Sequence, residues 1–256
     1  MLIGYFMSNE PQWAFIKNLS IAEQLLAGAE WSHSRHALIH WLSERYDGDV
    51  SRLNRAWMTA FKDFTDLNRP LYRASSLSPA AAEDLAAFSG KMIDLYVKIP
   101  ADEIRAVDPH HLNLGMRYAF VAGKEMLAGC KYFDVFSINC YTIDPSAQIN
   151  RVGEITGMPV LIGEFHFGAL DAGLPTAGLR AVTSQTQRGK AYRYYLEQAA
   201  ANPYSVGAHW FKLNDQAVLG RYDGENYQIG CVDVCQRPYE EFVGEMARTN
   251  EGIYEV

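Results

Sequence analysis

The stretch Pro159-Val-Leu-Ile-Gly-Glu-Phe-His-Phe-Gly-Ala169 decides the fold. Val160 to Gly163 has no polar break, and a loop rich in Gly and Pro follows. An apolar run this short reads as a strand over 159–165, covered on both faces, as in parallel sheets packed between helices. The same rhythm continues outward. Phe133 to Asn139 reads as a strand, followed by a helix over Ser146 to Thr156. A helix over Ser184 to Ala200 precedes a strand over Val206 to Phe211, and a last helix spans Pro238 to Arg248. Upstream, Leu112 to Met116 reads as a short strand followed by a helix near Gly123 to Ala128. Leu2 to Phe6 is another apolar run, ended by Ser8-Asn9-Glu10-Pro11. Five strands result, near 2–8, 112–116, 133–139, 159–165 and 206–211. Strands alternating with helices define an α/β fold with a parallel sheet.

Between the first two strands the pattern turns helical. Residues 19–62 read as helices in pieces: Ser32 caps one that runs through Arg45, and Asp47-Gly48-Asp49 breaks it. Val50 to Phe61 resumes with Leu53, Trp57 and Phe61 on one face, and 65–78 reads as a loop. Pro79 starts a long helix to about Val107, in which Pro100 is expected to break or kink the axis.

Composition narrows the function. Of 256 residues 23 are basic and 30 acidic, a net charge of −7 without a basic stripe, which argues against nucleic acid as partner. No apolar stretch is long enough to span a membrane. Cys130, Cys140, Cys231 and Cys235 lack zinc-site or disulfide-scaffold spacing and are expected as reduced thiols. His33, His36 and His40 share one helix face, which suits a metal or a plain amphipathic helix. The second reading is preferred, so neither metal nor other cofactor is expected. The first residues lack the features of a signal peptide, and a cytoplasmic location is favoured.

Polar residues collect where each strand ends: Asn9 and Glu10; Arg117; Asn139 and Tyr141; Glu164 and His166; Lys212, Asn214 and Asp215. In parallel α/β folds this edge is where sites are built. A Glu ending an apolar strand is costly unless paired or used. Two of them on one rim, Glu10 and Glu164, would face each other across a pocket, the arrangement that cleaving a glycosidic bond needs: one carboxyl protonates the leaving oxygen, the other attacks the anomeric carbon.

The ordered motifs YFMSNEPQW, RYDGDVSRLNRAW, HHLNLGMRY, FDVFSINCY, GEFHFGA and GAHWFKLND resemble clan A retaining glycoside hydrolases, and within them the β-agarases of family 50 and the β-galactosidase-like enzymes of family 42. The resemblance implies a (β/α)8 TIM-barrel type, incomplete here, comprising strands 4–8 with a helical insertion over 19–78 in a single partial barrel domain, 1–256. It implies Glu10 as acid/base and Glu164 as nucleophile, roughly 5 Å apart as retention requires. Asn9 would bond the sugar 2-hydroxyl, Tyr141 would hold Glu164, and Trp210 would stack on the sugar. Arg117, Asn139 and His166 would line the subsite. The expected function is a retaining β-glycosidase of galactose-type oligosaccharides. The alternative is a half-barrel remnant that binds carbohydrate with little turnover. A half-barrel leaves two strand edges open, so a homodimer completing the barrel is expected.

Overall fold

In the computed structural model, residues 2–17, 19–29 and 31–255 are described. They form two compact units. One comprises the chain up to Glu10, Asp108–Phe120 and 133 onward; the other comprises Pro11–Val107 and Val121–Tyr132.

The first unit carries the strands β1 (Gly4–Tyr5), β2 (Leu112–Asn113), β3 (Phe136–Asn139), β4 (Val160–Phe165), β5 (Gly168–Ala169), β6 (Ala181–Val182) and β7 (Ser205–Trp210). β1 pairs with β2, β3 with β4 and β4 with β7, all parallel. Beyond β2 the chain stays against its neighbours: Met7 N donates to the Gly115 carbonyl (3.0 Å), and Tyr118 N to the Ser137 carbonyl (2.9 Å). All five expected strands are therefore present. Every β4 residue is buried, as its unbroken apolar run requires. The short pair β5–β6 lies in the loop after β4, where no periodicity signals it.

Among the described residues this unit holds the α-helices α6 (Ser146–Thr156), α7 (Gln185–Ala200) and α8 (Glu240–Gly252). α7 begins where Ser184 Oγ accepts from Gln187 N (3.2 Å), an N-cap. Its Tyr192 and Tyr195 pack on Phe165, the latter ring nearly parallel at 4.1 Å. Arg188 is fully buried within α7 and satisfied by the Phe167 carbonyl (2.7 Å), the Gly230 carbonyl (2.9 Å) and Gln185 (2.7 Å). Burial brings its pKa down to about 10.

The second unit holds α1 (Gln12–Phe15), α2 (Ile21–Ala27), α3 (His33–Arg45), α4 (Val50–Trp57) and α5 (Pro79–Val107). Ser32 caps α3 by accepting from Arg35 N (3.1 Å), and Asp49 caps α4 through Ser51 N (2.8 Å). α4 stops at Trp57, short of Phe61, because Met58 enters the left-handed region at φ 59°. Leu26, Leu38, Leu42, Leu53, Trp57, Leu85 and Phe88 form its core. Buried Arg35 gathers the carbonyls of Leu26, Gly28, Leu67 and Arg69. Pro100 does not break α5. It removes one backbone bond, but buried Val97 and Ala101 anchor the helix on either side. Among the described residues no helix is long and apolar enough to cross a membrane, and none of the four cysteines is in a disulfide.

Candidate active site

The site starts from strand register. Parallel pairing sets Asn139 of β3 opposite Glu164 of β4, after an irregularity at Ile138/Asn139. Gly163 makes their approach possible. A Cβ there would lie 2.9 Å from Asn139 Oδ1 and 3.0 Å from the Arg117 side chain.

Glu164 is buried and held at both oxygens. Arg117 Nη2 donates to Oε1, and the Tyr141 hydroxyl donates to Oε2 (2.5 Å). Arg117 is itself fixed. Its backbone is left-handed (φ 50°), its N–H donates to Ser137 Oγ (2.9 Å), and Nη2 also reaches the Gly163 carbonyl (3.1 Å). The guanidinium carbon lies 5.2 Å from the Phe6 ring centre. Burial first, then the neighbouring Glu164 charge, push the Tyr141 pKa far up, so its hydroxyl stays a donor.

Glu10 follows β1, also at positive φ (47°), with its N–H on the Met116 carbonyl (3.1 Å). Asn139 Nδ2 donates to Glu10 Oε1 (2.8 Å) and more distantly to Asn9 Oδ1 (3.4 Å). Burial raises the Glu10 pKa most. The Asn139 bond lowers it, and the Glu164 charge raises it again. The second carboxylate thus favours the protonated form that a general acid needs.

Glu10, Asn9 and Asn139 thus form one hydrogen-bonded group and Glu164, Arg117 and Tyr141 another, brought side by side by the pairing of Asn139 with Glu164. His166 lies beside them, its ring 4.7 Å from that of Tyr141, but it faces the loop after β4. Its Nε2 accepts from Leu179 N (2.9 Å), which puts the ring proton on Nδ1. Burial drives its pKa down to about 4. Trp210 does not join the cluster. It pairs in register with Phe165 and so shares that residue's helix-facing side. Its ring packs on Phe165 (5.2 Å) and Phe242 (4.9 Å), and Nε1 donates to the Ile229 carbonyl (3.0 Å).

Sequence reasoning passed over several groups here. His209, one residue before Trp210, points to the other face, 5.8 Å from the Phe6 ring. Strand alternation would have identified it once the register was known. Glu225 adds to the field that raises Glu10 and is held by Gln216 Nε2 (2.8 Å). It lies in a loop with no periodic signal. Among the described residues no group of three or more His, Cys, Asp or Glu could hold a metal.

The cluster contains a protonatable carboxyl group facing a clamped carboxylate, and known proteins with similar chains are carbohydrate hydrolases. Beta-agarase B of Vibrio sp. (strain JT0107) is 32% identical over 99% of this chain and 27% of its own length. Beta-agarase A of the same strain is 31% identical over the same shares. The chain thus spans about a quarter of these relatives. A solved exo-beta-agarase superposes with a TM-score of 0.89 at 32% identity, over 98% of this chain and 35% of that one. Another solved agarase gives 0.87 at 32%, over 99% and 37%. The beta-galactosidase model of glycoside hydrolase family 42 matches residues 21–158, more than half of the chain, and the chain belongs to that family.

Proposed function

We propose that this chain carries the catalytic centre of a retaining β-glycosidase acting on galactose-type oligosaccharides. Its five parallel strands would be the fourth to eighth of a (β/α)8 barrel. The observation that carries the reading is the pairing of Glu10, whose carboxyl pKa is raised by burial and by Glu164, with Glu164 clamped by Arg117 and Tyr141. Glu10 gives its proton to the glycosidic oxygen while a Glu164 oxygen attacks the anomeric carbon. The C–O bond to the leaving group breaks and a glycosyl ester forms. Glu10, now a carboxylate, takes a proton from water, whose oxygen displaces Glu164 and retains the configuration. Asn139 and Asn9 sit where they can orient both Glu10 and a sugar hydroxyl. The agarase and galactosidase names of the relatives support galactose-type units as substrate.

The test is turnover of aryl β-galactosides and agar oligosaccharides by the chain, by Glu164→Gln and by Glu10→Gln. Both variants should lose at least a thousandfold in turnover, roughly the scale of losing an essential nucleophile or acid. Equal turnover in either variant would overturn the assignment. A second reading is favoured by the position of Trp210 inside the aromatic layer. Without that stacking surface the chain would bind galactose-type sugar and turn it over slowly. Binding unaffected by the two Glu→Gln changes, with no turnover, would select it.

A further inference from the structure

In the helical unit an open surface cleft of about 600 Å³ is lined by Arg45, Tyr46, Arg52, Arg55, Glu83 and Asp84, with Ala56 and Ala80 as its small apolar walls. Its volume falls in the range of small-molecule sites. Three guanidinium groups on one cleft stand out in a chain of net charge −7.

One of the three is fixed by a buried anchor. Asp84 of α5 is 2% exposed and accepts from Arg45 Nε (2.5 Å), the Tyr46 hydroxyl (2.6 Å) and Trp57 Nε1 (2.8 Å). Its charge is spent inside the fold. Burial, then the Asp84 bond, push the Tyr46 pKa up to about 12, so this hydroxyl remains a donor. The anchor engages only Nε of Arg45, whose guanidinium also lies 5.2 Å from the Trp41 ring centre. Among the described residues neither Nη of Arg45 has an internal acceptor, which leaves one edge of a rigid fork for a ligand. Arg52 and Arg55 stand three apart on α4 and so on one helix face. Arg52 is paired with Asp47, and Arg55 donates to Ser51 Oγ (3.2 Å) and acts on the nearby Asp49 charge.

Planar guanidinium forks recognise oxyanions in two-point fashion. The cleft is larger than a bare oxyanion needs, and exposed Glu83 would repel a densely charged ion while accepting from hydroxyls. We propose that this cleft is a binding site for an acidic sugar, one whose sulfate or carboxylate is held by Arg45, Arg52 and Arg55 and whose hydroxyls face Glu83. The site is separate from the two glutamates and does not depend on their being catalytic.

Calorimetric titration of the full chain at low ionic strength tests it, with galactose 6-sulfate, galacturonate, galactose and inorganic sulfate as probes. At least one acidic sugar should bind in a way that galactose does not displace, and inorganic sulfate should bind more weakly. Arg52→Ala/Arg55→Ala should weaken the acidic sugar by roughly ten- to a hundredfold, the range for hydrogen bonds to charged groups. Glu164→Gln should leave it unchanged, separating this site from the one proposed above. If the double variant loses helicity, Arg55→Gln alone makes the same comparison. The proposal is overturned if neither acidic sugar binds or if galactose displaces it equally. It is also overturned if binding survives the arginine changes, or if inorganic sulfate binds as tightly, which would leave a bare oxyanion site.

Discussion

Glu10 occupies a backbone region that a residue with a Cβ seldom adopts, at φ 47°. Such conformations persist where the surroundings over-determine them, here the Met116 carbonyl and the Asn139 amide. Asn139 has a defined electrostatic effect. Its bond stabilises the ionised form of Glu10 and so opposes the rise caused by burial and by Glu164. Removing it in Asn139→Ala should raise the Glu10 pKa further. If Glu10 is the acid, the basic limb of the kcat/KM profile then moves to higher pH while total activity falls. A limb that moves to lower pH would contradict the assignment. His166 makes a prediction about stability. Its folded pKa of about 4 lies below its ordinary 6.5, so the unfolded chain binds the proton first. Its contribution is present above pH 6.5 and is lost as pH falls toward 4, reaching about 3 kcal/mol for a shift of this size. Denaturant unfolding across that window should be steeper in pH for the native chain than for His166→Gln, which keeps an acceptor but cannot titrate.

At the scale of elements, β4 couples packing to the site. Its apolar residues fix its burial, and Gly163 leaves room for the Asn139 side chain, which bonds Glu10, and for Arg117, which bonds Glu164. Gly163→Ala should leave the far-UV circular dichroism intact, since the neighbouring side chains need to move by only a few tenths of an ångström. Turnover should fall by about a hundredfold, because a small displacement of an orienting group is amplified in the barrier. Unchanged turnover would show that Arg117 and Asn139 tolerate the shift. The elements that could be read from sequence are those with local signals. Ser32 and Ser184 mark helix starts by capping chemistry, and Pro159–Phe165 marks a strand by its unbroken apolarity. The cluster of Glu10, Asn139, Tyr141 and Glu164 was legible because polar residues at parallel strand ends must share one edge. What was not legible depends on register. Trp210 and His209 differ by one residue, and only pairing with Phe165 decides which of them turns to the helices. The Glu225 loop and the pair β5–β6 follow from long-range bonds such as Ala169 N to Gln228 Oε1 (2.9 Å), which leave no trace in periodicity.

At the scale of the whole molecule, the open edges of the sheets set the last expectation. Within the strand-bearing unit β1 pairs only with β2, and β7 only with β4, among the described residues. Each therefore presents a row of backbone groups without a ladder partner, a template for another chain. Side chains on these borders are apolar and in water: Ile3 is 65% exposed and Val206 57%. A symmetric dimer that brings such edges together covers both kinds of surface at once, since in a two-fold pair each patch is used twice. We therefore expect light scattering of this chain to return twice 28.8 kDa. Ile3→Lys/Val206→Lys should return the single-chain mass with the far-UV spectrum unchanged, because a charge on an edge blocks pairing without disturbing the strand behind it. A native chain that stays at 28.8 kDa at high concentration would refute the dimer. Turnover measured on the same samples separates assembly from chemistry. If the partner copy completes the sugar pocket, activity per chain falls with dilution through the dissociation range. If it only covers the edges, activity per chain stays constant through that range while the mass halves.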